Sequence, residues 1–229
     1  MPSDAARSAL LFDLDGTLLD TPRAIAEQFA LAVEAVTGTH PGEERARRLV
    51  GTPLERMAAE LSGAAPDSDV ARAVAAEYLT RFREIIVPKA ADLLFPGVRG
   101  GLERLARSGL RLAVVTSKKH RSAELILDAA GIADHFEAVI GADDVEHPKP
   151  HRASADAALA ALGLPDAGPS GAVIGDTASD IQLGHAVGTF TVGVTYGVGT
   201  TYEIDSAAPD FVAHLFDDVT RTLLLRLGK

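Results

Sequence analysis

The sequence predicts an α/β protein, a doubly wound parallel sheet carrying an inserted all-helical cap. Two patterns predict it. Short apolar runs alternate with helical patterns from residue 92 onward, and a wholly helical stretch separates them from one more apolar run near the N-terminus. The 229 residues suffice for one large domain with a modest insert.

The first apolar run is "LLFDL", which joins the sheet from the far end of the sequence. The later ones are "LRLAVVTS" (110–117), "EAVIGADD" (137–144), "SGAVIGDT" (170–177) and "FTVGVTYG" (190–197), buried strands ended by small or polar residues. Between them lie "PGVRGGLERLARSG" (96–109), "HRSAELILDAAGI" (120–132) and "HRASADAALAALGL" (151–164), with apolar residues at helical spacing. Strand, helix, strand at this rhythm requires right-handed crossovers and helices on both faces. Residues 20–87 differ: "PRAIAEQFALAVEAV", "EERARRLVG", "PLERMAAELSG" and "DVARAVAAEYLTRFREII" are all helical patterns. Four helices exceed what one crossover needs, so they are expected to form a cap. The core is then 1–19 with 88–229, and hinges fall near 19–22 and 86–92. The alternative is that these helices pad one face of the sheet.

Composition narrows the function. Lys plus Arg is 22 against 32 for Asp plus Glu, a formal charge of −10, which opposes nucleic-acid binding. An anionic substrate must therefore be attracted locally, by a metal or a few placed cations. The absence of cysteine excludes disulfides, thiolate catalysis and Cys-ligated zinc. The start "MPSDAARSALLFDLDG" has no signal-peptide pattern and no apolar run is long enough to span a bilayer, so a cytoplasmic protein without membrane contact is expected.

Chemistry concentrates in four loops, each after a predicted strand: "DLDGT" (13–17), "VVTSK" (114–118), "EHPKPH" (146–151) and "VIGDTASD" (173–180). In an open parallel sheet such loops meet in one crevice at the carboxyl ends of the strands. Asp13 and Asp15 are like charges at the end of an apolar strand, a costly arrangement unless something pairs with them. Gly16 permits a sharp turn there. With Asp176 as a third carboxylate, oxygen-only ligation suits Mg²⁺ better than zinc. Thr116 and Ser117 end the second strand, where Thr116 could cap the following helix or its hydroxyl could bind phosphate. Lys149, stiffened between Pro148 and Pro150, reads as a pre-positioned phosphate ligand. Asp180, four residues beyond Asp176 on a helix starting at 177–179, is placed with Thr177 to support Lys149 or the metal site from behind.

In this order "DLDGT", "VVTSK", "KP" and "GDTASD" resemble the four motifs of the haloacid dehalogenase superfamily, in its phosphatase branch. "GDTASDIQLGHAVGTFTVGVTYG" is similar to the phosphoglycolate phosphatase group. The resemblance implies that Asp13 attacks phosphorus to form an aspartyl-phosphate, and that Asp15 protonates the leaving alkoxide and then activates water. It implies Mg²⁺ on Asp13, the backbone carbonyl of Asp15 and Asp176, with Thr116, Ser117 and Lys149 on the phosphoryl oxygens. The expected partner is a small phosphorylated metabolite, and the expected state a monomer or homodimer. Two departures concern the subfamily: Arg152 stands where relatives commonly have a second proline, and Gly184 and Val187 stand where alanines are usual.

Other readings are weaker. A dehalogenase lacks the second aspartate, and a receiver-type signalling domain is about half this length. A non-enzymatic binding protein should lack a motif residue, and none is missing. A sugar phosphomutase or pyrophosphatase shares the motifs, with Thr17 favouring the phosphatase branch. "GVGT" (197–200) is too weak to indicate a dinucleotide site. Arg45, Arg47, Arg48 and Arg56 offer cations for a second anionic group, or form a solvated helix face.

Overall fold

Phe12 shows how the first strand is held. The computed structural model describes residues 8–165 and 170–228, and in it Ala9–Phe12 (β1) is fully buried. Leu10 and Phe12 face one apolar cluster and Ala9 and Leu11 another, because successive strand residues point to opposite faces of the sheet. Phe12 lies 6.2 Å from Phe136 and 6.1 Å from Phe216, ring centre to ring centre. Burial of such a side chain contributes roughly 2–3 kcal/mol.

The other strands are Arg111–Val115 (β2), Ala138–Ile140 (β3), Ala172–Gly175 (β4), Phe190–Val194 (β5) and Phe211–Ala213 (β6). All adjacent pairs are parallel, in the order β3-β2-β1-β4-β5-β6. Strand order reverses between β1 and β4, the switch point at which ligands bind in sheets of this type. The helices around the sheet are Val98–Arg107 (α5), His120–Ala130 (α6), Ala153–Ala161 (α7), Ala178–Val187 (α8), Thr201–Ser206 (α9) and Phe216–Arg226 (α10). They follow Pro22–Thr37 (α1), Glu43–Arg47 (α2), Leu54–Ser62 (α3) and Asp69–Arg81 (α4), which occupy the stretch expected to be helical throughout.

The α1 helix begins on Pro22, whose missing N–H costs nothing in a first turn. It stacks Phe29 on Tyr78 of α4 at 4.3 Å, and this pair ties the helical layer together. After α4 the chain runs through a π turn at Phe82–Ile86 and a 3-10 turn at Val87–Leu93. The two connections to the sheet domain lie side by side. Asp20 N–H donates to Leu93 O at 2.7 Å and Phe95 N–H to Leu18 O at 3.1 Å.

Several elements differ from the sequence reading. The strand expected over 137–144 stops at Ile140, because the Asp144 carboxylate takes the Gly141 N–H at 2.7 Å and turns the chain into a 3-10 turn. The strands expected over 110–117, 170–177 and 190–197 also end earlier, at Val115, Gly175 and Val194, where the chain leaves the ladder. The β6 strand and the helices α9 and α10 were not anticipated. Thr116 does not cap α6: Lys119 holds the cap position, and Asp143 takes the His120 N–H at 2.7 Å. Arg152 precedes α7 and pairs through both oxygens with Asp156, at 2.8 and 3.0 Å, so the helix starts without a proline. Gly184 has a packing reason, since a Cβ there would lie 2.4 Å from the Thr191 side chain. Residues 1–7, on which the signal-peptide reading rests, lie outside the described residues. Among the described residues no helix is long and apolar enough to cross a membrane.

Candidate active site

Asp13, Thr116 and Asp176 each follow the last residue of a strand, β1, β2 and β4 respectively. Three polar side chains therefore leave the sheet at one end, around the switch point. The Asp13 N–H still donates to Ile174 O at 2.9 Å, which locks the first loop to the fourth strand.

Lys149 comes from the loop before α7 and closes the group. Its ammonium lies 2.7 Å from Asp13 Oδ1 and 2.7 Å from Asp180 Oδ1, and all three side chains are buried. Asp180 is held in turn by the start of α8, where the Thr177 N–H donates to its Oδ2 at 3.1 Å and the Thr177 hydroxyl at 2.6 Å. Asp176 accepts from the Thr17 hydroxyl at 2.8 Å and from the Val198 N–H at 2.7 Å. Close approach to Asp176 needs glycine on both sides. Gly16 has φ +92°, and a Cβ on it would lie 2.2 Å from Asp176, while one on Gly197 would lie 2.3 Å away. In "GVGT" Gly197 thus packs against the Asp176 carboxylate and Gly199 against the Asp176 backbone carbonyl.

Asp15 points elsewhere. Thr21 donates its hydroxyl to Asp15 Oδ1 at 2.5 Å, and Lys118 lies 3.0 Å from Oδ2. The Lys118 ammonium also sits 4.6 Å from the centre of the Phe82 ring. Thr116 and Ser117 are buried beside this pair, and the Thr116 hydroxyl accepts the Lys118 N–H at 3.2 Å.

The electrostatics are unbalanced. Burial, with Asp13 and Asp180 nearby, pushes the Asp176 carboxyl up to about 8 despite its two hydrogen-bond donors. Burial likewise pushes Asp13 up to about 6, Asp180 adding to the rise and Lys149 opposing it. Burial works against the charge on Lys149, but Asp13 and Asp180 outweigh it and hold its pKa above the ordinary range. One oxygen from each of Asp13, Asp176 and Asp180 lies within 4.8 Å of the others. If all three carboxylates ionised beside one ammonium, two negative charges would be buried together, which a divalent cation would offset. The donor set is all oxygen, as a hard ion requires. These residues fit Mg²⁺. The side chain completing the carboxylate cluster is Asp180; Asp15, expected to contribute its backbone carbonyl, has its carboxylate engaged by Lys118 and Thr21.

The structure thus brings Asp13, Lys149, Asp180 and Thr177 into one bonded network, with the Asp176 carboxylate close to it and Asp15, Thr116 and Ser117 beside it. Sequence reasoning gave no site role to Thr21, Lys118 or Val198. Lys118 carried a signal, a cation directly after the polar end of an apolar strand. The arginine run divides. Arg47 and Arg48 line a groove between the helical layer and the start of α8, but both pair with Glu44. Arg56 pairs with Glu60 in solvent, and Arg45 binds the Glu60 carbonyl. None of the four lines the cavity beside Asp13.

Comparison with known proteins agrees with this geometry. Residues 10–194 match the model of the haloacid dehalogenase-like hydrolase family. A probable phosphatase, IndB, of Dickeya dadantii is 37% identical over 92% of this chain and 90% of its own length. A phosphoglycolate phosphatase of Pectobacterium atrosepticum is 32% identical over 92% of this chain and 89% of its own. The crystal structure of a predicted phosphoglycolate phosphatase from Haemophilus somnus superposes with a TM-score of 0.82 at 25% identity, covering 95% of this chain and 98% of that one. With its motif loops gathered at the switch point of a parallel sheet, the chain belongs to the haloacid dehalogenase-like hydrolases and resembles the phosphoglycolate phosphatases among them.

Proposed function

We propose that this protein is a Mg²⁺-dependent phosphatase that hydrolyses a small phosphomonoester through an aspartyl-phosphate on Asp13. The observation that carries the reading is the buried clasp in which Asp13 and Asp180 share the Lys149 ammonium beside Asp176, at the carboxyl ends of β1 and β4. An Asp13 oxygen attacks phosphorus and the ester oxygen departs, taking a proton from Asp15. Water then attacks the acyl-phosphate after giving its proton back to Asp15, which restores Asp13 and releases phosphate. Lys149 and the Thr116 and Ser117 groups hold the phosphoryl oxygens, and Asp180 with Thr177 keeps Lys149 in place. Bound by Asp13, the Asp15 carbonyl and Asp176, Mg²⁺ would supply the positive charge that lets carboxylate and phosphoryl oxygens approach. Residues 20–87 act as the cap, set on the core 1–19 with 88–229, and close over the crevice to exclude water. Phosphoglycolate, named for relatives, belongs in the test panel with pyrophosphate and sugar phosphates.

The test is phosphate release from that panel by wild type and Asp13→Asn, with Mg²⁺ and after metal stripping into EDTA. Wild type should turn over at least one ester only with metal, and the variant should lose about three orders of magnitude or more in kcat. Near-normal turnover in the variant, or full activity in EDTA, contradicts the reading.

A further inference from the structure

The cavity beside Asp13 and Asp15 is walled on the cap side mainly by apolar side chains. Phe29 and Tyr78 stack at 4.3 Å, Phe82 follows Tyr78 at 6.2 Å, and Leu54, Met57 and Leu79 complete the wall. The charged groups in the lining are Asp13, Asp15, Lys118 and Lys119, and both lysines are committed. Lys118 holds Asp15 at 3.0 Å and Lys119 pairs with Glu55 at 2.5 Å. The remaining polar side chains of the lining are neutral hydroxyls. A carboxylate on the substrate's far end would therefore enter an apolar slot that already holds two carboxylates, and would find no free cation there. Burying an unpaired charge in this way is prohibitive, whereas burying hydrocarbon is favourable. The arginines that could have answered such a charge are elsewhere, paired with glutamates or bound to backbone. The slot is narrow, about 50 Å³.

We infer that the leaving alcohol of the substrate is an apolar, uncharged body, aliphatic or aromatic, packed against Leu54, Met57, Leu79 and the Phe29–Tyr78–Phe82 wall. The inference rests on the phosphatase reading and narrows its substrate class. Apolar contacts of this kind discriminate by about tenfold or more per well-filled pocket. The experiment compares kcat/KM of the full-length Mg²⁺ enzyme for n-butyl phosphate, benzyl phosphate and phosphoglycolate. All three are esters of unactivated alcohols, so the ratio reports the pocket and not the leaving group. At least one apolar ester should exceed phosphoglycolate by about tenfold or more. Leu54→Arg, which places a cation on the half-buried rim of the wall, should move the ratio toward phosphoglycolate by a similar factor. Phosphoglycolate equal to or better than both apolar esters in wild type overturns the inference alone. So does a folded Leu54→Arg with an unchanged ratio, and if that variant does not fold the wild-type ratio decides. No turnover of any ester in the wider panel overturns the phosphatase reading and takes this inference with it.

Discussion

Asp176 and Asp13 carry the most tension in the molecule. In the unfolded chain both titrate near the ordinary value of about 4. Folded without metal they titrate at about 8 and about 6. Between those values the folded protein binds more protons than the unfolded one, so the metal-free protein loses stability as pH rises through that window. Mg²⁺ competes with those protons and should bind more tightly as pH rises. Thermal unfolding with and without Mg²⁺ should therefore show a larger upward shift of Tm at pH 8 than at pH 5.5. A shift that is equal or larger at pH 5.5 would contradict the assignment of these carboxylates. At this scale the sequence revealed the site's aspartates and Lys149 but not Lys118, Thr21 or Val198, which hold two of those aspartates. Two aspartates after an apolar run are conspicuous. That Thr17 serves Asp176 and Thr21 serves Asp15 is decided by how the first loop folds back, which no local pattern encodes.

The α8 helix shows how an element places a buried cation that it does not carry. Its first turn fixes Asp180 through the Thr177 N–H and hydroxyl, and Asp180 fixes Lys149. Thr177→Ala should remove one charge-assisted hydrogen bond and cost about 1–3 kcal/mol in urea unfolding. It should also lower kcat/KM by about tenfold or more, as loss of a supporting partner does, and Thr177→Ser should restore both. Unchanged kinetics in a destabilised Thr177→Ala would reduce this contact to helix capping. Elements with long apolar periodicity were legible: α1 to α4 and β1, β2, β4 and β5 lie within or overlap the stretches their patterns mark, though the last three strands end earlier. The β6 strand was not, because three residues at a sheet edge, two half-buried and one buried, give no alternation to read. The end of β3 was misplaced because the Asp144 carboxylate, a side chain outside the apolar run, breaks the ladder.

At the scale of the whole molecule, a crevice lies between the carboxyl ends of the central strands and a helical layer. Its apolar interior is continuous from Phe12 through Leu14, Leu18 and Leu19 into Phe29 and Tyr78, so the layer is anchored by the same loop that carries the two aspartates. Motion of the layer would then act directly on Asp15, which Thr21, at the foot of α1, holds by hydrogen bond. The ordered set of four motifs made the family legible before any coordinates. The apolar slot beside Asp13 was not legible, since its wall comes from three helices and the π turn after them, whose apolar residues read only as core. Everything proposed here depends on Asp13 as the nucleophile. The most direct measurement is acid quench of the Mg²⁺ enzyme during turnover of a ³²P-labelled ester, followed by peptide mapping of protein-bound phosphate. The account predicts acid-stable, hydroxylamine-labile label on the peptide containing Asp13, and none in Asp13→Asn. Turnover with no protein-bound phosphate under any quench time, or label on another residue, would contradict it.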